Sequence, residues 1–217
     1  MILIPVKSLA TAKQRLASLL DQTTRTRLAQ AMLTDVLETL SAWPAHPAIA
    51  LVTNDRFSVN LAKKFNFEVI PDRASRSETA AIEMATKVCI ERGIDETLVI
   101  PADIPLVQVW ELEKILDTSP HEGSVLVPSA DRRGTNAAWR RPAALFPLHF
   151  GDDSFRPHLA AARASRKPCV VLTLPGIALD IDNPADLRQL VAAPGETRAQ
   201  RFARQLDLRD LPAAANQ

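Results

Sequence analysis

The sequence predicts a three-layer α/β domain built on a mostly parallel central sheet. Short apolar runs alternate along the chain with longer segments in which apolar residues recur at helical spacing. Strands separated by helices of this length form right-handed βαβ units, and such units build a parallel sheet. The 217 residues, 47% of them hydrophobic, are enough for one domain with a large core.

The elements follow in a regular order. Strands are predicted over residues 2–6, 48–53, 67–70, 98–101, 124–127 and 170–174. A helix is predicted over 24–40, where Leu28, Met32, Val36 and Leu40 share one face. Another is predicted over 79–92, with Ile82, Ala85 and Cys89 aligned.

Two regions interrupt this alternation. Residues 129–165 mix turn residues, charges and aromatics, which indicates an insertion after the fifth strand that forms one wall of a site. Residues 195–217 are interpreted as a C-terminal tail with a short amphipathic helix and a frayed end. We therefore expect a single domain over residues 1–194, followed by this tail.

The charge balance excludes some classes of partner. The 26 basic and 25 acidic residues give a net charge of +1, so neither a nucleic-acid partner nor a membrane surface is expected. Both cysteines, Cys89 and Cys169, lie in apolar segments, which favours reduced thiols. The N-terminal segment has the wrong charge order for a signal peptide, and a cytoplasmic protein is expected.

Glycine is scarce, and this limits how a nucleotide could be held. The chain has 6 glycines against 16 prolines, and no two glycines lie close enough for a phosphate-binding loop or a dinucleotide fingerprint. A nucleotide would have to be gripped by other groups.

A basic segment follows the first predicted strand. Lys7, Lys13 and Arg15 surround a predicted turn and helix start, where backbone N–H groups and cations together attract polyphosphate. The alternative is a solvated basic face of the first helix, and the sequence does not choose between them.

An acid follows the fourth predicted strand. Asp103 lies between two prolines at the carboxyl edge of the sheet, where open α/β proteins bind ligands. A carboxylate at that edge suits Mg²⁺, which takes one or two protein oxygens and leaves its other positions to phosphate and water. The alternative is that Asp103 caps the next helix.

Two further acids are spaced for one face of an extended segment. Asp180 and Asp182 project to the same side while Ile181 points away, and paired carboxylates repel unless a cation lies between them. Alternatively, Asp182 caps a helix that begins near Pro184, with Asp186 as a first-turn acid.

Small polar loops occur within the insertion. Gly134 and Gly151 stand beside hydroxyl and amide residues, which form loops with inward donors suited to phosphate or carboxylate. The alternative is two tight turns. His158 follows the second loop, where a histidine on a helix surface, or one hydrogen-bonded within the protein, is more common than a catalytic one.

Taken in order, these motifs resemble the guanylyltransferase family of coenzyme F-420 biosynthesis (the CofC/FbiD type). The resemblance runs from residue 2 to about residue 190 and rests on I-P-V-K-x-L-x-x-A-K-x-R-L, P-A-D-I-P-L, G-T-N, F-G-x-x-S-F-x-x-H and D-I-D-x-P-x-D-L. It implies a Rossmann-like fold of the nucleotidyltransferase (nucleotide-diphospho-sugar transferase) type, similar to the molybdopterin guanylyltransferases.

The resemblance also implies roles for residues. Lys7, Lys13 and Arg15 would contact the GTP phosphates, and Asp103 would take part in catalysis with them. Asp103, Asp180 and Asp182 would hold Mg²⁺. The phosphorylated acid would be bound by Thr135, Asn136, Gly151, Ser154 and His158.

One segment departs from the family pattern. Residues 72–79 lack the glycines and the asparagine that help to seat guanine and ribose in the family. Arg73, Ser77 and Thr79 are the nucleotide-binding candidates that remain there. Arg73 and Arg76 would contact phosphate, or Ser77 would cap the following helix, and the cap is favoured.

The implied reaction transfers GMP from GTP to phosphoenolpyruvate, 2-phospho-L-lactate or 3-phospho-D-glycerate, and pyrophosphate leaves. The resemblance also suggests a homodimer and hand-over of an unstable product to the next enzyme, although the sequence leaves the oligomeric state open. Three alternatives are a transferase that uses a nucleotide sugar, a nucleotidyltransferase acting on a molybdenum cofactor, and a catalytically silent nucleotide-binding protein.

Overall fold

A computed structural model describes residues 1–74, 77–151 and 153–206. Its strands are β1 Ile2–Val6, β2 Ile49–Thr53, β3 Glu68–Ile70, β4 Thr97–Val99, β5 Gly123–Pro128, β6 Thr135–Arg141 and β7 Cys169–Val171. The six predicted strands are all present, each within a few residues of its predicted position.

The strands form one mixed sheet in the order β3-β2-β1-β4-β6-β5-β7. The pairs β2–β3, β1–β2, β1–β4 and β5–β7 are parallel, whereas β6 runs antiparallel to both β4 and β5. The predicted mostly parallel α/β sheet is thus confirmed.

The helices cover both faces of the sheet. They are α1 Gln22–Ser41, α2 Arg56–Lys64, α3 Glu78–Glu91, α4 Val109–Thr118, α5 Phe155–Ala164, α6 Pro175–Ala178, α7 Pro184–Ala192 and α8 Arg198–Arg204. Among the described residues, no helix combines the length and apolar composition that a membrane crossing requires.

The core is divided by the sheet into two layers, as the pleat of β1 shows. Ile2 and Ile4 pack with Leu28 of α1 and Leu112 of α4 on one side. Leu3, between them, packs on the other side in the cluster that contains α3 and α5 residues. Because successive strand residues point to opposite faces, this alternation yields the three-layer arrangement.

The predicted insertion contains a strand that the sequence analysis missed. Residues 135–141 form β6, which is hydrogen-bonded between β4 and β5 in the middle of the sheet. Two small alanines and two arginines hide the strand pattern, although Arg140 is fully buried. Interpretation of residues 129–165 as wholly an insertion was therefore wrong for this part.

The C-terminal segment packs on α1. The Asp35 carboxylate accepts hydrogen bonds from the backbone amides of Arg198 and Ala199, and the Arg27 guanidinium lies 5.0 Å from the Phe202 ring centroid. The predicted tail helix is present as α8, while residues 207–217 lie outside the described residues. Cys89 and Cys169 are both free thiols, the first buried and the second half-buried.

Candidate active site

A two-part cleft opens at the carboxyl edge of β1 and β4. One part, here called the basic pocket, has a volume of about 390 Å³ and is lined by Lys7, Lys13 and neighbouring residues. The other, the hydroxyl pocket, has a volume of about 380 Å³ and is lined by Thr135, Ser154 and neighbouring residues. The residues that line both pockets are Arg15, Glu78, Pro101, Asp103 and Asp182.

Lys13 lines the basic pocket and bonds two residues that line both pockets. Its ammonium bonds the Asp103 carboxylate and lies 2.8 Å from Oδ1 of Asp182, and only 7% of its side chain is exposed. Burial alone would lower the pKa of Lys13, but the two carboxylates outweigh burial and raise it. A permanent buried cation therefore holds these two acids together.

The backbone around Lys13 differs from the predicted helix start. Two short 3-10 turns, Leu9–Thr11 and Gln14–Leu16, follow β1, and the first α-helix begins only at Gln22. Lys13 stands between the turns in a left-handed conformation with φ of 55°. The expectation of cations around an α-helix N-terminus was therefore wrong, and it is the turn that aims Lys13 into the cleft.

The other two predicted cations are more exposed. Lys7 Nζ lies 2.6 Å from Oδ2 of Asp72, which follows β3. Arg15 is mostly exposed, with its guanidinium 3.5 Å from Oδ2 of Asp182. Lys7 and Arg15 line the basic pocket together with Lys13, so the structure brings all three predicted cations to one cleft.

Asp103 does not cap a helix. The next helix, α4, begins at Val109 and has Gln108 at its N-cap. Oδ2 of Asp103 is bonded by Lys13, whereas Oδ1 is buried and has no hydrogen-bond partner in the described part of the chain. A buried, unsatisfied carboxylate oxygen is costly, and a bound cation or hydrogen-bond donor would satisfy it.

Asp180 and Asp182 share one face of their segment, because Ile181 between them is fully buried. The alternative that Asp182 caps α7 was wrong, since Asn183 is the N-cap and forms a capping box with Asp186. Asp180 accepts a hydrogen bond of 2.9 Å from Asn136 Nδ2. Burial, and then the nearby Asp103 carboxylate, raise the pKa of Asp180 to about 6.

The hydroxyl pocket is organised by hydrogen bonds between its wall and α5. The backbone amide of Thr135 donates to Ser154 Oγ over 3.1 Å, and the Thr135 hydroxyl lies 2.9 Å from His158 Nδ1. His158 is almost completely buried and lies behind the pocket wall rather than among its lining residues. Direct contact between His158 and a bound acid, as the resemblance implied, does not fit this position.

The remaining predicted acceptor residues, Gly151 and Asn136, both line the hydroxyl pocket. Gly151 lines the pocket with φ of +138°, and open space surrounds the position of its missing Cβ. Asn136 is buried, and its amide donates to the carbonyls of Ile177 and Ala178 as well as to Asp180. Asn136 therefore fixes the position of the Asp180 carboxylate through this hydrogen bond.

In the segment that departs from the family pattern, the hydroxyls of Ser77 and Thr79 form hydrogen bonds with the protein backbone. Ser77 caps α3 by accepting a hydrogen bond of 3.1 Å from the Ala80 amide, as the favoured interpretation predicted. The Thr79 hydroxyl bonds both backbone groups of Phe150, so it holds the loop before Gly151 rather than facing the basic pocket. Arg73 is exposed, and Arg76 lies outside the described residues.

Glu78 is a candidate that the sequence analysis missed. It lines both pockets, and burial, followed by Asp103 and Asp182, raises its pKa to about 7. In the sequence it resembles an ordinary first-turn acid after a serine cap, so no local signal sets it apart.

The carboxylates are not arranged as a complete metal cluster. Within the described ranges, no group of three or more His, Cys, Asp or Glu side chains is placed to hold a metal ion. Lys13 instead occupies the position between Asp103 and Asp182. Asp103, with its unsatisfied Oδ1, and Asp180 and Asp182, which line the same pocket, nevertheless offer the oxygen chemistry that Mg²⁺ prefers.

The chain matches a family model and several known proteins. The family model described as guanylyl transferase CofC like matches residues 1–216. The phosphoenolpyruvate guanylyltransferase of Roseiflexus sp. (strain RS-1) is 34% identical over 202 residues, covering 93% of this chain and 89% of the relative. The 2-phospho-L-lactate guanylyltransferase of Methanobrevibacter smithii is 28% identical over 207 residues, covering 95% and 90%.

Solved structures share the fold. A protein of Desulfovibrio desulfuricans G20, described as a nucleotide-diphospho-sugar transferase, superposes with a TM-score of 0.77 at 19% identity, covering 96% of each chain. The 4-diphosphocytidyl-2C-methyl-D-erythritol synthase of Anaerococcus prevotii gives a TM-score of 0.59 at 10% identity, covering 94% of this chain and 96% of the other. The fold is thus the Rossmann-like fold of nucleotide-diphospho-sugar transferases.

Proposed function

Because this chain belongs to the CofC-like guanylyltransferase family, and is therefore a nucleotidyltransferase, we propose that it transfers GMP from GTP to a small phosphorylated carboxylic acid. The observation that carries the proposal is that Lys13, in the basic pocket, bonds Asp103 and Asp182, which line both the basic pocket and the hydroxyl pocket. A transfer between two anionic substrates needs cations and metal-binding oxygens where the two meet.

The basic pocket is proposed to bind GTP. Lys7, Lys13 and Arg15 line it and would neutralise the triphosphate and the departing pyrophosphate. Lys13 would exchange a carboxylate partner for phosphate oxygens when the nucleotide is bound. Arg73, which is exposed, is proposed as an outer contact of the nucleotide.

The hydroxyl pocket is proposed to bind the acceptor acid. Thr135 and Ser154 offer hydroxyl groups, and Gly151 lets a ligand approach the backbone closely. Names of the relatives favour phosphoenolpyruvate as the acceptor, since those at 32–34% identity are phosphoenolpyruvate guanylyltransferases. The 2-phospho-L-lactate guanylyltransferases are 28% identical.

Asp103, Asp180 and Asp182 are proposed to hold Mg²⁺. When bound, Mg²⁺ would neutralise charge that develops on the reacting phosphates. Burial, and then the nearby Asp103 carboxylate, raise the pKa of Asp180 to about 6, and a bound divalent cation would favour its ionised form.

The chemistry requires little of the protein beyond positioning. An oxygen of the acceptor phosphate attacks the α-phosphorus of GTP, the bond from that phosphorus to the pyrophosphate oxygen breaks, and a guanosine diphospho-linked acid forms. The acceptor phosphate is already largely ionised at neutral pH, because its second pKa is about 6. No general base is needed, and His158, buried and bonded at both ring nitrogens, has none of the access that a base would require.

The proposal is tested by incubating the protein with GTP, Mg²⁺ and each of phosphoenolpyruvate, 2-phospho-L-lactate and 3-phospho-D-glycerate while pyrophosphate is measured. We expect release with phosphoenolpyruvate above all, and with GTP in preference to ATP or CTP. Absence of release with all three acids would contradict the transferase assignment and favour a silent nucleotide-binding protein.

We further propose that the reaction takes place in the cytoplasm as a step of coenzyme F-420 biosynthesis, and that the product passes to the next enzyme. The family membership supports this placement. A homodimer is proposed with it, and size-exclusion chromatography with light scattering of the purified chain tests that state: a monomer at micromolar concentration contradicts it.

A further inference from the structure

The hydroxyl pocket is held from behind by one histidine. His158 accepts a hydrogen bond of 2.7 Å at Nε2 from the backbone amide of His149, and its Nδ1 lies 2.9 Å from Thr135 Oγ1. The Phe150 ring packs against it edge to face, at an interplanar angle of 70° and with centroids 5.3 Å apart. Both ring nitrogens are thus engaged by the protein.

The contact with His149 decides where the proton of His158 resides. A backbone N–H can only donate, so Nε2 must carry the lone pair, and a neutral imidazole then carries its proton on Nδ1. Burial, and secondarily Arg140 and His149, lower the pKa of His158 to about 4, so the ring is neutral near pH 7. The Nδ1–H group therefore donates to the Thr135 hydroxyl oxygen.

This fixes the role of the Thr135 hydroxyl. Since its oxygen accepts from His158, its own proton points elsewhere, and no described residue accepts it. The Ser154 hydroxyl oxygen likewise accepts a hydrogen bond, in this case from the Thr135 backbone amide. Ser154 stands at the N-cap of α5, but its side chain makes no capping hydrogen bond. Both hydroxyls line the hydroxyl pocket, and each has a proton left to donate.

We propose that His158 is a positioning residue that makes the Thr135 hydroxyl an obligate donor toward the acceptor, so that the pocket selects fully ionised phosphate or carboxylate oxygens. The inference rests on the proposed function, which supplies the acceptor. A group that presents its own proton would face two donors and lose a hydrogen bond. His158 itself does not touch the acceptor.

Two substitutions distinguish the positioning of Thr135 by His158 from simple support of the loop at His149. His158→Asn places an amide near the position of Nδ1, so it keeps a donor for Thr135 and loses the His149 contact. His158→Gln reaches the position of Nε2, so it keeps an acceptor for the His149 amide and loses the donor to Thr135. Thermal melting of both variants reports the structural cost separately.

We expect His158→Gln to raise the acceptor KM by roughly tenfold or more, since hydrogen bonds to charged groups contribute this much, and to leave the GTP KM unchanged. His158→Asn should keep the acceptor KM close to that of the wild type. Thr135→Val should reproduce the defect of His158→Gln, and the two together should cost no more than either one. Equal defects in the Asn and Gln variants, or none in Thr135→Val, would overturn the proposal.

The tautomer is measured without substrate. Nitrogen-15 spectra of the histidine side chains at pH 7 should show His158 protonated at Nδ1 and bare at Nε2, with the signal assigned by its loss in His158→Gln. Protonation at Nε2 overturns the proposal even if the enzyme is active. Absence of pyrophosphate release from the wild type with all three acids counts against the proposed function instead, and leaves this spectrum to decide the position of the proton.

Discussion

Nζ of Lys13 lies 2.8 Å from Oδ1 of Asp182, across 169 positions of sequence. The same ammonium bonds Asp103, which follows β4, so one cation connects the segments after β1, β4 and α6. Buried ion pairs contribute little net stability when intact, but removal of one partner leaves an uncompensated charge. Lys13 therefore couples the stability of the cleft to the groups that would serve the nucleotidyl transfer.

Replacement of Lys13 by methionine should expose that coupling. The free energy of unfolding should fall by about 3 kcal/mol, since Asp103 and Asp182 lose their buried counter-charge. Added Mg²⁺ should raise the melting temperature of Lys13→Met more than that of the wild type, because the ammonium no longer competes for the carboxylates. Lys64→Met, at an exposed position of α2, is the control and should be nearly neutral. Equal stability of Lys13→Met and wild type would contradict the coupling.

Asp103→Asn should abolish turnover while the fold stays intact. Lys13 keeps Asp182 as a partner in this variant, and asparagine has nearly the same shape as aspartate, so the melting temperature should change little. Pyrophosphate release should fall by about 100-fold or more, the scale seen when a single charge-stabilising group is lost. Asp95→Asn serves as the matched control, since that carboxylate is exposed and pairs at 3.3 Å with Arg141, away from the cleft. Unchanged turnover in Asp103→Asn would exclude the metal role.

Most of the sheet could be predicted from the sequence, because apolar runs such as residues 2–6 are buried on both faces and need no tertiary information to recognise. Strand β6 could not, since its arginines mask the pattern and only the fold shows that Arg140 is buried beside Thr86. The candidate carboxylates were identified from spacing and position at strand ends. What the sequence could not supply was the partner of each group: that Lys13 bonds acids, that Thr79 bonds Phe150, and that His158 bonds Thr135.

Ser77→Ala should lower the free energy of unfolding without affecting nucleotide binding. The Ser77 hydroxyl caps α3, and loss of an N-cap costs about 1 kcal/mol. Chemical denaturation should show this loss, while the GTP KM remains that of the wild type. Ser77→Asp, which can cap equally well, should retain the stability. A raised GTP KM in the alanine variant at unchanged stability would instead assign Ser77 to the nucleotide.

Thr79→Val should weaken binding of the acceptor acid and leave binding of GTP unchanged. The hydroxyl accepts from the Phe150 amide at 2.9 Å and thereby holds the loop that leads to Gly151. Its loss should raise the acceptor KM several-fold, on the order of one hydrogen bond, with the GTP KM unchanged. Thr79→Ser keeps the hydroxyl and should behave like the wild type. If the GTP KM rises and the acceptor KM does not, Thr79 belongs to the nucleotide pocket as the sequence first suggested.

Acid should destabilise the protein through His158 in a defined window. Burial, followed by Arg140 and His149, lowers the pKa of His158 in the folded chain to about 4 from its ordinary 6.5, so protons favour the unfolded chain. Its stabilising contribution is complete above pH 6.5 and is lost as the pH falls toward 4, by up to about 3 kcal/mol. Urea unfolding of the wild type and of His158→Asn from pH 7 to pH 4 isolates this contribution, because the variant lacks the titrating ring. Between pH 7 and pH 4, the free energy of unfolding of the wild type should fall by up to about 3 kcal/mol more than that of His158→Asn. A difference that stays constant with pH would mean that His158 has the same pKa in the folded and unfolded chains, which would contradict a lowered pKa of the buried ring.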